Sequence, residues 1–202
     1  NKKIIYELYT EIAKIPCVNS HSHLPQEHER LRDIPDALAF LGHMYPASDL
    51  SSAGMPAADI NAACRPHIGD HRKLALEERW NLVKPYWPYI RFTGYVQSIL
   101  IGFEELLGFS CLNAETLTPI SEAIGEQSTS GYYGRILRDK GNILKSVVQM
   151  VDLIEVDKGL FTPMPRLNRF SMIESRSQLD EIESLYDLKI GSLEDLIGAI
   201  ER

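Results

Sequence analysis

Apolar positions along the chain change period twice. Ile4, Ile5, Leu8 and Ile12 lie on one side of residues 4–13, with Glu7, Glu11 and Lys14 on the other, so this segment reads as a short amphipathic helix that Pro16 stops. Residues 16–24 form a short β-like segment that runs into a polar loop at Pro25. From 25 to 140 the pattern is helical or irregular, with no strand. A weak helix is expected over 36–43, then a long irregular region over 44–70, rich in Ala, Ser, Pro, Gly and Asp. Leu76, Trp80, Val83 and Trp87 step by four, three and four, which predicts a helix over 74–87 distorted at its end by Pro85 and Pro88. Val96, Ile99, Leu100, Phe103, Leu106 and Leu107 predict another over 95–107, stopped by Gly108. Pro119 suits the first turn of a helix whose buried side is Leu117, Ile120 and Ile124, and Tyr132–Lys140 forms a shorter helix ending at Gly141.

At 143 the period changes again. Ile143–Val151 is a mostly apolar run rich in β-branched residues, which reads as a strand buried on both faces. A further strand is expected within Pro163–Ile173, over about Arg166–Met172. A helix follows through Leu179, Ile182, Leu185 and Tyr186, broken at Gly191, and Ser192-Leu193-Glu194-Asp195 resembles a capping box opening a last one. The expected class is α/β and predominantly helical. Residues 1–24 hold a helix and the first strand, 25–140 a helical insertion, and 141–202 two more strands with flanking helices.

Composition narrows the setting. Apolar residues make up 44% and charged residues 24% of the 202, which excludes disordered and low-complexity classes. There are 28 Asp and Glu against 21 Lys and Arg, a net charge of −7, and no basic cluster, so neither nucleic acid nor an anionic membrane is expected as a partner. The most apolar segment, 95–109, is interrupted by Glu104 and Glu105 and is too short to span a bilayer. Cys17, Cys64 and Cys111 stand far apart without C-x-x-C pairing, which suits a reducing compartment, and the cytoplasm is the expected location. Nucleotide-binding glycine loops and a G-x-S-x-G elbow are missing from the sequence.

The sharpest chemical feature is His21-Ser22-His23 at the end of the first strand. A strand repeats every two residues, so both imidazoles are expected on one face, close enough to share a divalent metal ion. A pair of solvated loop histidines is the competing reading. Cys64, His67 and His71 have a zinc-like spacing but lack a fourth ligand, and Gly69 weakens any helix that would align them. His43 reads as a residue at a helix C-terminus. Trp80, Tyr86, Trp87 and Tyr89 read as packing residues, and Cys17 as a buried, inert thiol.

The run Ile15-Pro16-Cys17-Val18-Asn19-Ser20-His21-Ser22-His23-Leu24 resembles the first strand of the amidohydrolase superfamily, with Asn19 where that pattern usually has Asp. Trp87–Tyr95, leading into a long helix, and Gly131–Ile143, leading into the second strand, are similar to the branch holding uronate isomerases and related metal-dependent hydrolases. The resemblance implies the amino-terminal part of a (β/α)8 TIM-like barrel, about three strands long, with a large helical insertion after strand one. At roughly 30 residues per strand–helix unit, the residues outside 25–140 account for about three units of eight.

The resemblance further implies a divalent metal, zinc first and manganese or iron as alternatives, with His21 and His23 as ligands. The metal would activate water for attack on an amide, ester or lactone of a small-molecule substrate. In the isomerase branch the same site moves a proton between neighbouring carbons of a sugar acid. The later ligands and catalytic residues of the family have no counterpart that can be placed on this chain, so the chain alone is expected to be inactive. His28, Asp49, Arg91, Arg166 and Arg169 are candidates for substrate binding, and Asp152 lies where barrel strands carry functional groups. A half barrel with open strand edges is a candidate for self-association. From a different class, a non-catalytic helical binding or assembly module would make 25–140 the functional body.

Overall fold

The computed structural model describes residues 2–65, 74–150, 157–165 and 168–200, with the backbone alone at 150, 165, 168 and 169. In chain order the elements are α1 (Lys2–Ile12), β1 (Cys17–Ser22), α2 (Glu27–Arg32), α3 (Met44–Ser52), α4 (Ala57–Cys64), α5 (Leu76–Val83), α6 (Trp87–Ile90), α7 (Gly94–Leu107), α8 (Leu117–Gln127), β2 (Ile143–Met150), β3 (Phe161–Pro165), α9 (Asn168–Ser171), α10 (Arg176–Tyr186) and α11 (Leu193–Ile200). A 3₁₀ turn covers Ala39–Gly42 and a π-helical segment Gly134–Lys140. The fold class is α/β, mainly helical, with one small parallel sheet. Two compact units are present. One joins Asn1–Gln26 to Tyr133–Arg202, and the other is Glu27–Tyr132.

In the first unit the strands run in the order β1-β2-β3, all parallel. Asn142 adopts the left-handed conformation (φ 50°) that asparagine tolerates. Its side-chain amide donates to the Lys14 carbonyl (3.2 Å) and its own carbonyl accepts from the Cys17 N–H (3.0 Å). One residue thus ties the segment after α1 and the start of β1 to the start of β2. β2 is not buried on both faces as its composition suggested. Ser146 and Val148 are buried, Lys145, Val147 and Gln149 are half-buried, and Leu144 is exposed. α1 buries none of its residues.

The third strand is Phe161–Pro165 and not Arg166–Met172, of which Asn168–Ser171 is helical. Asp157 sets its start. The Leu160 and Phe161 N–H groups donate to the Asp157 carbonyl, and the Gly159 N–H donates to its side chain (2.8 Å). Pro163 and Pro165 share the parity of Phe161, whose N–H turns away from β2. They therefore remove no donor from the β2 ladder. Beyond the sheet, Phe170, Ile182 and Ile190 form a small core. α10 begins three residues before its first apolar position, because the Ser175 hydroxyl accepts the Gln178 N–H while the Gln178 side chain accepts the Ser175 N–H.

The Glu27–Tyr132 unit has its own core, centred on Leu38, Leu41, Leu50, Trp80, Ile90 and Ile120. The region 44–70, expected to be irregular, contains α3 and α4. Among the described residues its helix breakers sit at element ends: Pro46 in the first turn of α3, Gly54 (φ 95°) after it, and Pro56 just before α4. The helix expected over 36–43 is only the four-residue 3₁₀ turn, which opens where Asp36 Oδ1 accepts the N–H groups of Leu38 and Ala39. His43 closes that turn but also opens α3, so it is not simply a helix-end cation. Of the aromatic group, Trp80 and Trp87 pack edge to face at 5.7 Å, whereas Tyr89 is 74% exposed and is not a packing residue.

Arg79 on α5 is buried at the centre of this unit. Its guanidinium donates to both carboxylate oxygens of Asp36 (2.5 and 3.1 Å) and to the Ala63 carbonyl at the end of α4 (2.7 Å). Arg79→Met is expected to cost about 3 kcal/mol in urea unfolding, because it strands Asp36 and the Ala63 carbonyl. A loss below about 1 kcal/mol contradicts this account. Cys17 and Cys111 are exposed, which corrects the expectation for Cys17. Burial pushes the Cys64 thiol up to about 12. A disulfide reagent near neutral pH is expected to label Cys17 and Cys111 in the native protein and Cys64 only after denaturation. Native labelling of all three thiols would contradict the packing described.

Candidate metal centre

β1 departs from a regular strand at the residues that carry its chemistry. Asn19 pairs with Ser146 and Ser22 with Val148, so three steps along β1 match two along β2. The cause is local. The Asn19 side-chain oxygen accepts the N–H of His21 (3.3 Å), an asparagine turn that competes with the ladder. The extra residue brings Asn19 and Ser22, three apart, to the same partner. Asn19 Nδ2 donates to Ser146 Oγ (3.0 Å), Ser22 Oγ lies 3.0 Å from Ser146 Oγ, and Ser22 Oγ donates to the Val147 carbonyl (3.0 Å). Ser146 is fully buried, and this network meets the hydrogen-bonding demand of its hydroxyl. Asn19 uses both ends of its amide here, accepting from His21 and donating to Ser146. An ionised aspartate at this position could not donate.

The two histidines flank the locked Ser22. His21 is in β1 and His23 is the first residue past it, at the carboxyl end of the strand. Their rings meet edge to face with centroids 4.6 Å apart, and the two Nε2 atoms are 2.9 Å apart. Both residues are exposed, and the 2.9 Å contact is a hydrogen bond between the two ring nitrogens, one donating and the other accepting. Tyr133 steadies the exit from this segment. It is buried, donates its hydroxyl hydrogen to the Pro25 carbonyl (2.8 Å), and packs edge to face on Phe161 of β3 at 5.4 Å. Nothing in the spacing of Tyr132-Tyr133 distinguishes these residues from ordinary core aromatics, and Ser146 sits in an apolar run with no motif around it. Neither role could be read from the sequence.

The pair fits a divalent ion on the chemistry of its donors. The two imidazole nitrogens lie side by side at an exposed strand end, hydrogen-bonded to each other, and a small rotation of the exposed rings would let both face one ion. Among the described residues, His, Cys, Asp and Glu form no group of three able to hold a metal, so an ion at the pair would have these two imidazoles as its protein ligands.

The other candidates are not gathered around the pair within its unit. His28, Asp49 and Arg91 belong to the Glu27–Tyr132 unit. His28 is exposed on α2. Asp49 on α3 accepts a hydrogen bond from Thr93 Oγ1 (2.5 Å), just before α7, and so braces two helices. Arg91 is exposed and stacks over Phe92 at 4.6 Å. Arg166, Asp152, His67 and His71 lie outside the described residues, and the backbone of Arg169 is in α9. The helical unit has two adjoining apolar cavities that share Phe40, Ser98 and Ile99. One, of about 290 Å³, runs along Gly102, Phe103 and Leu106. The other, of about 370 Å³, lies beside Tyr45 and Tyr95, whose rings stack at 4.7 Å.

No protein-family model matches the chain, and no curated protein is similar to it. No helix among the described residues is long and apolar enough to cross a membrane.

Ser146→Ala is expected to destabilise the protein by about 1–2 kcal/mol, because Asn19 Nδ2 loses its acceptor beside the sheet. Ser20→Ala, at an exposed position of the same strand, is expected to stay within about 0.5 kcal/mol of the parent. Equal midpoints for the two variants in chemical denaturation would contradict the buried network.

Proposed function

We propose that this chain carries the metal-binding first strand of a metal-dependent hydrolase of the amidohydrolase type, built on a (β/α)8-like barrel of which β1, β2 and β3 are the first strands. The observation that carries this reading is the convergence of His21 and His23 at the carboxyl end of the first strand of a parallel sheet. The all-parallel order and the long helical excursion between β1 and β2 agree with such a fold.

In this reading His21 and His23 hold the ion through Nε2. Asn19 orients the His21 backbone, Ser22 fastens the segment between the histidines to β2, and Tyr133 holds the outgoing loop. A bound divalent metal would supply Lewis-acid activation of water for attack on an amide, ester or lactone. The same ligand pair would serve a sugar-acid isomerase, separated from a hydrolase by the product formed. A reading of another class, a non-catalytic binding module, draws on the apolar cavities of the helical unit.

Calorimetric titration of the purified chain with Zn²⁺, Mn²⁺ and Fe²⁺ under anaerobic conditions tests the ligand assignment. Weak, saturable binding at one site is expected, since two ligands hold an ion less tightly than four. Binding should fall by at least about tenfold in His21→Ala and in His23→Ala and vanish in the double variant. A double variant that binds as the parent does removes the basis for the hydrolase reading and leaves the binding-module reading ahead.

A further inference from the structure

We infer that the two adjoining cavities of the helical unit, together with Arg30, form a binding site for a small monocarboxylic acid with an apolar tail. This goes beyond the metal reading and uses neither histidine of β1. Every residue in it belongs to the Glu27–Tyr132 unit.

The place for the tail follows from α7. Tyr95, Ile99, Phe103 and Leu106 recur down one side of the helix and line the cavities, an apolar wall about 16 Å long at 1.5 Å per residue. Two polar side chains that reach this wall are spent on the backbone. Ser98 Oγ donates to the Gly94 carbonyl (2.9 Å), and Gln127 Nε2 donates to the Leu106 carbonyl (2.7 Å). Gly102 sits in the middle of the same face, inside a helix that glycine weakens relative to alanine. A Cβ there would meet nothing within 4 Å, so no close-packed neighbour calls for glycine. Its effect is to leave the wall open.

The place for the carboxylate follows from Arg30 on α2. Its guanidinium lies over the ring of Tyr132, a residue of the cavity wall, at 4.8 Å from the centroid. Nη2 approaches the Tyr132 hydroxyl at 3.5 Å. Stacking on a ring engages the face of a guanidinium and leaves its in-plane N–H groups in need of acceptors. Nη1 is buried, and among the described residues it has no acceptor. A buried, charged donor left unpaired is costly, and a ligand carboxylate that accepts from the guanidinium removes that cost. An apolar wall beside an unpaired cation therefore suits a carboxylic acid better than an alcohol or an amine of the same length.

Calorimetric titration of the purified chain with octanoate, decanoate and 1-octanol tests the site. Each acid is expected to saturate one site. Decanoate should bind roughly tenfold more tightly than octanoate, since each buried methylene contributes about a fourfold gain. Octanoate should bind at least about tenfold more tightly than 1-octanol, which has the tail without the charge. Arg30→Met is expected to abolish that difference and to leave 1-octanol binding unchanged. Gly102→Leu, which fills the middle of the wall, is expected to weaken all three ligands by at least about tenfold, with a thermal midpoint no lower than the parent's. Circular dichroism establishes that each variant folds. Should Arg30→Met fail to fold, the comparison of octanoate with 1-octanol in the parent still decides the role of the charge. The inference is overturned by the absence of saturable acid binding, by equal binding of octanoate and 1-octanol in the parent, by an octanoate preference that survives Arg30→Met, or by a Gly102→Leu variant that binds as the parent does. None of these results bears on the metal reading, which the histidine variants test separately.

Discussion

A single buried hydroxyl governs how the parallel sheet meets its solvent-facing chemistry. Ser146 sits in the middle of β2 with no exposure, and its oxygen must be satisfied from within. The partners come from β1, where Asn19 and Ser22 both reach it. They can do so only because the strand carries an extra residue, and the His21 N–H is turned aside to Asn19 in the process. The His21 and His23 rings meet at the end of this same segment. Polar satisfaction inside the sheet and the contact between the two histidines thus meet at one backbone irregularity.

The helical unit solves a comparable problem with charge. Its helices are short, and they are joined by segments with backbone groups that need partners. Arg79 collects the Asp36 carboxylate and the Ala63 carbonyl, while Asp36 also receives the N–H groups that open the 3₁₀ turn. Burying that guanidinium is tolerable because its donors are spent on a paired carboxylate and a helix end. Close contact follows at Gly42, where a Cβ would lie 2.4 Å from the Cys64 carbonyl oxygen. That approach lets Arg65 donate to the Gly42 carbonyl at 2.8 Å.

Regular features were legible in the sequence, and exceptions to regularity were not. The broad apolar face of Val96–Leu107 and the stop at Gly108 correspond to α7 and its left-handed C-cap. The β-branched run at Ile143 corresponds to β2. Pro46, Gly54 and Pro56 obscured α3 and α4 because composition alone cannot tell a breaker at a boundary from one in an interior. Pro163 and Pro165 obscured β3 in the same way, since their harmlessness depends on which side of the strand has a partner. At the candidate site the H-x-H spacing pointed to two rings on one side, and the rings do meet. The backbone between them is not simply alternating: a bulge intervenes, where the Asn19 side chain takes the His21 N–H locally and also reaches Ser146, 127 residues away. Long-range partners of this kind leave no local signature.

The central claim is that His21 and His23 bind one ion between them. Anomalous diffraction from crystals of the chain soaked in Ni²⁺, collected on either side of the nickel absorption edge, tests it directly. The account predicts a single anomalous peak within bonding distance, about 2.0–2.2 Å, of both Nε2 atoms. A peak bound by only one of the two histidines, or nickel found only elsewhere on the protein, would contradict it.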